Sequence, residues 1–268
     1  MRVAVDHNLS KINRRLYRQG RTYTVKVDLD AAAAAGTKYN VYAIADTWML
    51  GKAWNLAKKN YDEQLLGERN VFDGKMARWR DFRLDLSDVV LDRSVGTSAS
   101  GVPVLVNPTN GAEFEVIAGE YLYSTVADDS GVSKTFGLIE ATDKFNILKE
   151  FDLNGTMDTD PENPTTQVAY DGLDTDLQDT EVEEITGNGN EPPYAQNNSH
   201  YNNPFVKIGE LGVDIHSQRL STGYFDAPLG FVVIVADGAN HKYSGQTDLT
   251  VCVKAGDYKG VHAPSLME

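Results

Sequence analysis

Two groups of charged residues in this sequence have types and spacings that suit binding chemistry, and they carry opposite charges. The first group is a set of aspartates in one acidic stretch, namely Asp171, Asp174, Asp176 and Asp179. Closely spaced carboxylate oxygens are the hard ligands that Ca²⁺ prefers, although their order does not match an EF-hand loop. The favoured interpretation is nevertheless a solvated acidic loop that only adds negative charge to the surface. We therefore predict no cofactor, with calcium as the one candidate.

The second group is a cluster of cations near the N-terminus. Residues 1–27 carry seven Lys and Arg against the single acidic residue Asp6, a balance of +6. The whole chain has a formal net charge of −14, so the remainder carries −20. Cations that contact phosphates release counterions and give a salt-dependent affinity for nucleic acid; the alternative is ordinary solvated charge. The predicted nucleic-acid-binding residues are Arg2, Lys11, Arg14, Arg15, Arg18 and Arg21.

The sequence contains none of the common catalytic motifs. Its five histidines lie at no metal-ligand spacing, and Cys252 is the single cysteine, so a zinc cluster of thiolates is excluded. It also has no P-loop, no dinucleotide-binding glycine pattern and no Gly-x-Ser-x-Gly nucleophile elbow. A glycosidase-like pair of carboxylates stays conceivable because Asp and Glu are abundant. We predict that the protein is not an enzyme and has no catalytic residues.

The elements that must position these residues are mostly strands. Residues 21–29 alternate between apolar and polar side chains, which predicts a half-buried strand, and residues 38–46 predict a second one. The stripe that runs from Leu50 to Leu65 has helical spacing and predicts one amphipathic helix at about residues 49–66. Further strands are predicted at residues 78–86, 102–106, 113–126, 136–139, 205–215, 219–236 and 247–254.

This pattern predicts a mainly β protein, a single antiparallel sandwich of the jelly-roll type with one inserted amphipathic helix. Residues 1–20 are predicted to be a basic N-terminal arm, either a short helix or a segment that orders against a partner. Residues 21–268 form the predicted jelly-roll domain. Within it, residues 152–204 are predicted to be an acidic surface excursion, because no Lys or Arg lies between Lys149 and Lys207. The longest apolar run is far shorter than the ~20 residues of a transmembrane helix, so no membrane contact is predicted.

Aromatic residues near a predicted bend are candidates for subunit contacts. Gly223, Pro228 and Gly230 interrupt the chain before the apolar run at 231–236, which is predicted to be a core strand. Tyr224 and Phe225 lie in this bend and are the predicted subunit-interface residues; the alternative is that they only shape the bend. Trp48 and Trp54 are predicted to lie in the core.

Three stretches carry a resemblance to one family. They are residues 42–48 with the helix that follows, residues 74–83 (Gly-Lys-Met-Ala-Arg-Trp-Arg-Asp-Phe-Arg) and residues 218–232. Over roughly residues 20–90 and 205–255 the chain resembles the capsid proteins of small environmental circular single-stranded DNA viruses. The similarity consists of short sequence segments that occur in the same order, without a diagnostic catalytic motif.

The resemblance implies a jelly-roll subunit that self-assembles into an icosahedral shell in the virion. Its implied partners are other copies of itself and a viral genome of single-stranded DNA, with the basic arm inward and the acidic excursion outward. The arm is shorter and less densely charged than the tails common in such capsid proteins. The alternatives are another virion structural protein, such as a tail or decoration protein, and a carbohydrate-binding β sandwich.

Overall fold

The computed structural model of the protein places the candidate nucleic-acid-binding residues but not the candidate calcium ligands. Asp171, Asp174, Asp176 and Asp179 lie outside the described residues, as does nearly all of the predicted acidic excursion. The described residues are 2–29, 38–68, 79–86, 90–92, 104–106, 123–127, 131–138, 143–151, 204–213, 218–237 and 249–266.

Strands make up most of the regular structure in the described residues, as predicted, and helices accompany them. Helix α1 spans Val5–Asn13 and helix α2 spans Trp48–Glu68. The strands are β1 (Arg2–Ala4), β2 (Thr22–Leu29), β3 (Lys38–Ile44), β4 (Val90–Asp92), β5 (Val104–Val106), β6 (Thr125–Ala127), β7 (Ser133–Gly137), β8 (Lys144–Asn146), β9 (Phe205–Val213), β10 (Gln218–Arg219), β11 (Phe225–Pro228), β12 (Phe231–Asp237), β13 (Leu249–Val253), β14 (Ala255–Gly256) and β15 (Gly260–Val261).

The two main sheets are antiparallel and pack as layers. The larger sheet has the order β1-β12-β3-β9-β10, and the smaller sheet has the order β11-β2-β13. Three further small sheets are β6-β7-β8, β4-β5 and β14-β15. The prediction of a mainly β, antiparallel protein is confirmed.

The larger sheet is buried on both faces, so the molecule has two cores. Along β12, Val232 and Ile234 pack towards the smaller sheet in what we call the sheet–sheet core. Their neighbours Phe231 and Val233 point the other way, into a helix-side core with α2. Successive side chains of a strand point to opposite faces. A strand that is covered on both faces therefore needs a continuous apolar run, which is what residues 231–236 provide.

Helix α2 confirms the predicted amphipathic helix and covers the second face of the larger sheet. Trp54 is buried and stacks edge-on against Phe82, with 4.7 Å between ring centroids. The prediction that Trp48 is also a core residue is wrong, because 67% of it is exposed. At about 100° per residue, Trp48 lies some 200° around the helix from the buried Leu50 and so points away from the core. Among the described helices, none combines the length and apolarity needed to span a membrane.

Residues 2–20 lie against the sandwich and do not stand apart from it as an arm. Strand β1 pairs with β12 at the edge of the larger sheet, with Val3 opposite Val232. Val3, Val5 and Tyr17 are buried among residues of the sheet–sheet core. The segment thus interleaves apolar side chains with its cations, and the burial of those side chains fixes it to the body.

The predicted bend before β12 is present and meets the N-terminal segment. Leu229 and Gly230 have φ of 59° and 63°, so the chain turns sharply between β11 and β12. A Cβ atom on Gly230 would lie 3.2 Å from the Asp6 amide nitrogen and 3.1 Å from the Tyr23 ring. The Gly230 carbonyl accepts a 2.7 Å hydrogen bond from the Val5 amide. This close approach requires glycine.

Residues 79–86, predicted to be a strand, instead form an extended segment with one isolated bridge between Asp85 and Gly137. Its backbone hydrogen bonds include one from the Asp85 amide to the Phe136 carbonyl at 2.7 Å and one from the Ser124 amide to the Arg83 carbonyl at 2.9 Å, and side chains add further contacts. The Gln19 side chain donates to the Leu84 carbonyl at 3.2 Å and accepts from the Leu84 amide at 2.6 Å. Buried backbone groups must find partners, and an amide side chain can supply both a donor and an acceptor.

Candidate nucleic-acid interface

The N-terminal segment exposes four of the six predicted nucleic-acid-binding residues. Helix α1 ends at Asn13, and the left-handed φ of 52° at the next residue, Arg14, turns the chain. The Ser10 hydroxyl then accepts a 2.8 Å hydrogen bond from the Tyr17 amide, which folds the following residues back beside the helix. The exposed cations of this segment are Lys11, Arg14, Arg15 and Arg18.

A fifth cation comes from the hairpin of β14 and β15, far away in the sequence. The Lys259 ammonium group donates a hydrogen bond to the Leu16 carbonyl. The Tyr17 hydroxyl donates to the Lys259 carbonyl at 2.9 Å, and the Tyr258 hydroxyl accepts from the Arg18 amide at 3.2 Å. Lys259 is therefore held beside the N-terminal cations. We call Lys11, Arg14, Arg15, Arg18 and Lys259 the basic patch.

The other two predicted nucleic-acid-binding residues, Arg21 and Arg2, contact the rest of the protein and contribute to its structure. The Arg21 guanidinium lies 3.7 Å from the Tyr258 ring centroid and donates a 2.7 Å hydrogen bond to the Ala263 carbonyl. It thus joins β2 to the C-terminal hairpin region, and its donor groups are partly used. Arg2 is half-buried in β1, opposite Val233. Neither residue belongs to the exposed basic patch.

The basic patch suits binding to phosphates and not the reading of bases. Its guanidinium and ammonium groups are donors that match phosphate oxygens. Contacts of this kind fix the position of a nucleic-acid backbone but carry no sequence information. The one acidic residue of residues 2–20, Asp6, is buried and paired with Arg83, so it does not offset the exposed cations at the surface.

Directly behind the patch lies a buried polar cluster, which we call the buried junction. It consists of Asp6, Gln19, Asp81 and Arg83, each of which is buried. The Arg83 guanidinium contacts the Asp6 carboxylate at 2.6 Å, and the Gln19 amide donates to the Asp81 carboxylate at 3.3 Å. The junction therefore fastens the N-terminal segment to the extended segment at 79–86.

Burial changes the protonation of the junction. Loss of solvent raises the pKa of the Asp81 carboxyl to about 6, against the partial opposition of Arg83, the Gln19 amide and Arg18. Burial also raises the pKa of the neighbouring Tyr23, which keeps its hydroxyl protonated as a donor to the Arg18 carbonyl at 2.7 Å. Asp81 is thus the group of this cluster that changes charge close to neutral pH.

The two predicted interface aromatics lie in the bend and in β11. Tyr224 is 54% exposed, and the Lys26 ammonium group lies 5.9 Å from its ring centroid. Phe225 is half-buried and pairs with Val25 of β2, so it contributes mainly to the sandwich. In the described part of the chain, no group of three or more His, Cys, Asp or Glu side chains is placed to hold a metal ion.

A cavity of about 540 Å³ opens between α2 and the β6-β7-β8 sheet. Its walls are mainly apolar, with Phe136, Phe145 and Phe151 among the lining residues. Glu150 is the one carboxylate in this lining. Hydrolysis of a glycosidic bond by the usual mechanisms needs two carboxylates, and the described residues that line this cavity supply one.

Sequence reasoning missed Lys259 and Tyr258 as members of this surface. The only local signal is the order Tyr258-Lys259-Gly260, in which a cation and an aromatic residue precede a glycine turn. The contact between Lys259 and Tyr17 spans 242 positions of sequence, which no local pattern reveals. Comparisons of the chain with protein-family models, with curated proteins and with solved structures found no match.

Proposed function

We propose that the protein is a structural capsid subunit of a virion, which self-assembles into an icosahedral shell around a single-stranded DNA genome. The observation that carries this proposal is the basic patch. It brings cations from distant parts of the sequence together, in a chain whose net charge is −14. The resemblance of three sequence stretches to viral capsid proteins points to the same function.

The proposed fold is a single jelly roll. Strand β2 pairs with β13, and the next strand, β3, pairs with β12, which precedes β13 in the chain. The outer pair in the sequence thus encloses the inner pair. This nesting supports the proposal, because it arises when a long antiparallel ribbon curls into two facing sheets.

Exposed aromatic side chains supply candidate contacts between subunits. Large aromatic side chains anchor protein interfaces more often than most residues do. Tyr224 in the bend and Trp48 at the start of α2 are both more than half exposed. In the proposed shell each is covered by a neighbouring copy, with Tyr224 as the predicted central contact.

Assembly is tested on the purified protein by light scattering and negative-stain electron microscopy. The capsid proposal expects uniform closed particles, formed alone or on addition of single-stranded DNA. A monodisperse species near the chain mass of 29.5 kDa under every condition contradicts it and favours the carbohydrate-binding alternative. Attachment to a preformed lattice, without closed particles, indicates a decoration protein.

Interface variants test the contact residues separately. We expect Tyr224→Ser to reduce particle formation while circular dichroism of the subunit stays unchanged. Val132→Ser is a matched control, since Val132 is equally exposed (54%) but lies outside the bend. If both variants form particles equally well, Tyr224 is not part of the contact between subunits.

Nucleic-acid binding is tested by the double variant Arg14→Ala/Arg15→Ala. Each lost phosphate contact lowers the slope of log K against log salt by about 0.7 for single strands, so the double variant should lower it by about 1.4. The control Lys52→Ala/Lys59→Ala removes the same charge from exposed positions of α2. Fluorescence anisotropy measures the salt slope of each variant with labelled single-stranded DNA and with labelled RNA. A difference in affinity between the two nucleic acids indicates which type of genome the protein prefers. Equal slopes for the two variants contradict the patch.

Calcium binding by the acidic excursion stays a prediction. Isothermal titration of the wild-type protein with Ca²⁺ is compared with the Asp171→Asn/Asp174→Asn variant. Heat that disappears in the variant supports the site, and absence of heat in the wild-type protein supports a solvated acidic loop.

A further inference from the structure

The buried junction holds more negative than positive charge. Asp6 and Asp81 are two carboxylates, and Arg83 is the single guanidinium buried with them, with exposed fractions of 1%, 7% and 5%. Ionised carboxylates lose solvation on burial, and one cation at 2.6 Å from Asp6 cannot fully compensate two of them. A proton on one carboxylate removes this imbalance.

Asp81 is the carboxylate that takes up this proton. Its pKa is raised to about 6 mainly by burial, and Asp6 also raises it. The opposing groups are Arg83 on its own segment and Arg18 together with the Gln19 amide on the N-terminal segment. From β2 it faces the Tyr23 hydroxyl, which stays neutral.

The junction is also where the basic patch is attached to the body. Gln19 makes both of its side-chain hydrogen bonds to Leu84 and donates its amide to Asp81. Arg18, a member of the patch, precedes it directly and contributes to the potential at Asp81. A change of charge at Asp81 therefore affects both the attachment of the basic patch to the body and the electrostatic potential at the patch.

We propose that Asp81 is a buried proton switch that fastens the N-terminal segment in acid, loosens it at neutral and higher pH, and thereby regulates nucleic-acid binding by the basic patch. The fastening itself is independent of the proposed function, whereas its effect on nucleic acid rests on it. Bound phosphates place negative charge near Asp81 and favour its protonated form, so binding should be accompanied by proton uptake. By thermodynamic reciprocity, acid should then strengthen binding.

The sign of the pH dependence follows from the raised pKa. Asp81 binds its proton more tightly in the fastened state than in the released state, where an aspartate has its ordinary pKa of about 3.9. Rising pH therefore favours release, and the effect develops up to about pH 6 and then levels off. A difference of about two pKa units corresponds to a change of up to about 100-fold in the opening equilibrium.

Hydrogen exchange of residues 2–20, measured at pH 5 and pH 7.5 and corrected for intrinsic rates, tests the fastening without nucleic acid. We expect protection in the wild-type protein to be lower at pH 7.5 by about 10-fold, because the rest of the 100-fold change develops below pH 5. Asp81→Asn carries a permanently neutral side chain and should stay protected at both pH values. Wild-type protection that does not change with pH overturns the switch, even if the variant fails to fold.

Histidines are the necessary control, since imidazoles also change charge in this pH range. The N-terminal segment carries His7, and the C-terminal hairpin is followed by His262. The His7→Gln/His262→Gln variant should keep the pH dependence of the wild-type protein. If this variant loses the dependence and Asp81→Asn retains it, a histidine and not Asp81 is the switch.

Titration calorimetry with single-stranded DNA in two buffers of different ionisation enthalpy tests the link to binding. At pH 6.5 we expect the wild-type protein to take up protons when it binds DNA. The Asp81→Asn variant should take up fewer protons, because it lacks the titrating carboxyl group. Asp257→Asn is a matched control, because it removes an exposed carboxylate from the hairpin beside the patch. Binding without any difference in uptake between wild type and Asp81→Asn contradicts the regulation. No binding at any pH, together with pH-dependent exchange, overturns the proposed function and leaves the switch standing.

Discussion

The two faces of the larger sheet are covered by different kinds of structural element. The sheet–sheet core joins regular strands, and its largest members are aliphatic and tyrosine side chains such as Val25, Val41 and Tyr23. The helix-side core is formed by α2 and irregular segments. Buried ion pairs lie in these segments. One pair is Arg83 with Asp6, and another is Lys144 with Asp85 at 2.8 Å.

The larger sheet therefore has one face that packs against a regular sheet and one face that packs against segments containing buried ion pairs. Strands on the sheet–sheet side are fixed by ladders whose register does not depend on pH. Residues 79–86 on the helix side have few backbone hydrogen bonds and depend in addition on buried charged side chains, of which Asp81 has a raised pKa. We therefore expect the two faces to respond differently to mutation and to pH.

The largest expected effect comes from breaking the buried ion pair on the helix side. Arg83→Met leaves the buried Asp6 carboxylate without its cation, and loss of one partner of a buried pair typically costs about 3–5 kcal/mol. Urea unfolding at neutral pH measures the loss. The double variant Asp6→Asn/Arg83→Met should recover part of it, because it removes the Asp6 charge together with its cation and leaves Asp81 as the remaining carboxylate of the junction. A cost below about 1 kcal/mol for the single variant would mean that the pair does not hold the two segments together.

An intermediate effect is expected from the aromatic cluster beneath α2. Phe82 is buried and lies 5.3 Å from the Phe136 ring centroid and 5.5 Å from the Tyr61 ring centroid. Phe82→Leu keeps part of the buried volume, so we expect a loss of roughly 1–3 kcal/mol, less than the 3–5 kcal/mol of a full truncation to alanine. Thermal unfolding of both variants checks the order. Trp79→Leu, at a half-exposed position three residues earlier, should cost less than Phe82→Leu.

A smaller effect is expected on the sheet–sheet side. Tyr23→Phe removes the hydroxyl that donates to the Arg18 carbonyl at 2.7 Å. The net value of such a hydrogen bond is about 0.5–1.5 kcal/mol. Tyr224→Phe serves as the comparison in the same unfolding assay, because its side chain is mostly exposed and its loss should be close to zero. Equal losses for the two variants would argue against the tight attachment of the N-terminal segment.

The smallest effect is expected for a surface pair on α2. The Lys59 ammonium group lies 3.7 Å from the Glu63 carboxylate, and both side chains are more than 60% exposed. Exposed pairs of this kind contribute about 0.3–0.5 kcal/mol. Lys59→Ala should therefore stay within that range in denaturant unfolding, and a loss above 1 kcal/mol would show that the pair is more than a surface contact.

Local periodicity predicted the parts of the fold that are regular. The alternation of residues 22–29 and the stripe of α2 are visible in the sequence because one repeating face meets one core. The glycines of the bend also predicted the interruption before β12, since Gly223 and Gly230 adopt positive φ. These features depend on neighbours in the chain, and a single sequence contains that information.

The parts that were not predicted depend on contacts between distant segments. The basic residues of the N-terminal segment indicated an arm, but the few apolar residues among them, such as Val3 and Val5, attach it to the sandwich. Charge pattern also gave no means to separate Arg21, which packs on Tyr258, from the exposed Arg18. Which cation is structural and which faces solvent is decided by residues more than 200 positions away.

The joining of residues 14–18 to the hairpin at 255–261 imposes an order in time. Tyr17 reaches the ribosome exit 242 residues before Lys259, and at about 5–20 residues per second this interval is roughly 12–48 s. During synthesis the early cations therefore lack the lysine and tyrosine that complete their surface. A nascent chain lies close to its own messenger RNA, whereas the complete basic patch forms only after Lys259 has been synthesised. If the proposed function holds, firm contact with nucleic acid therefore begins only after the hairpin has been synthesised.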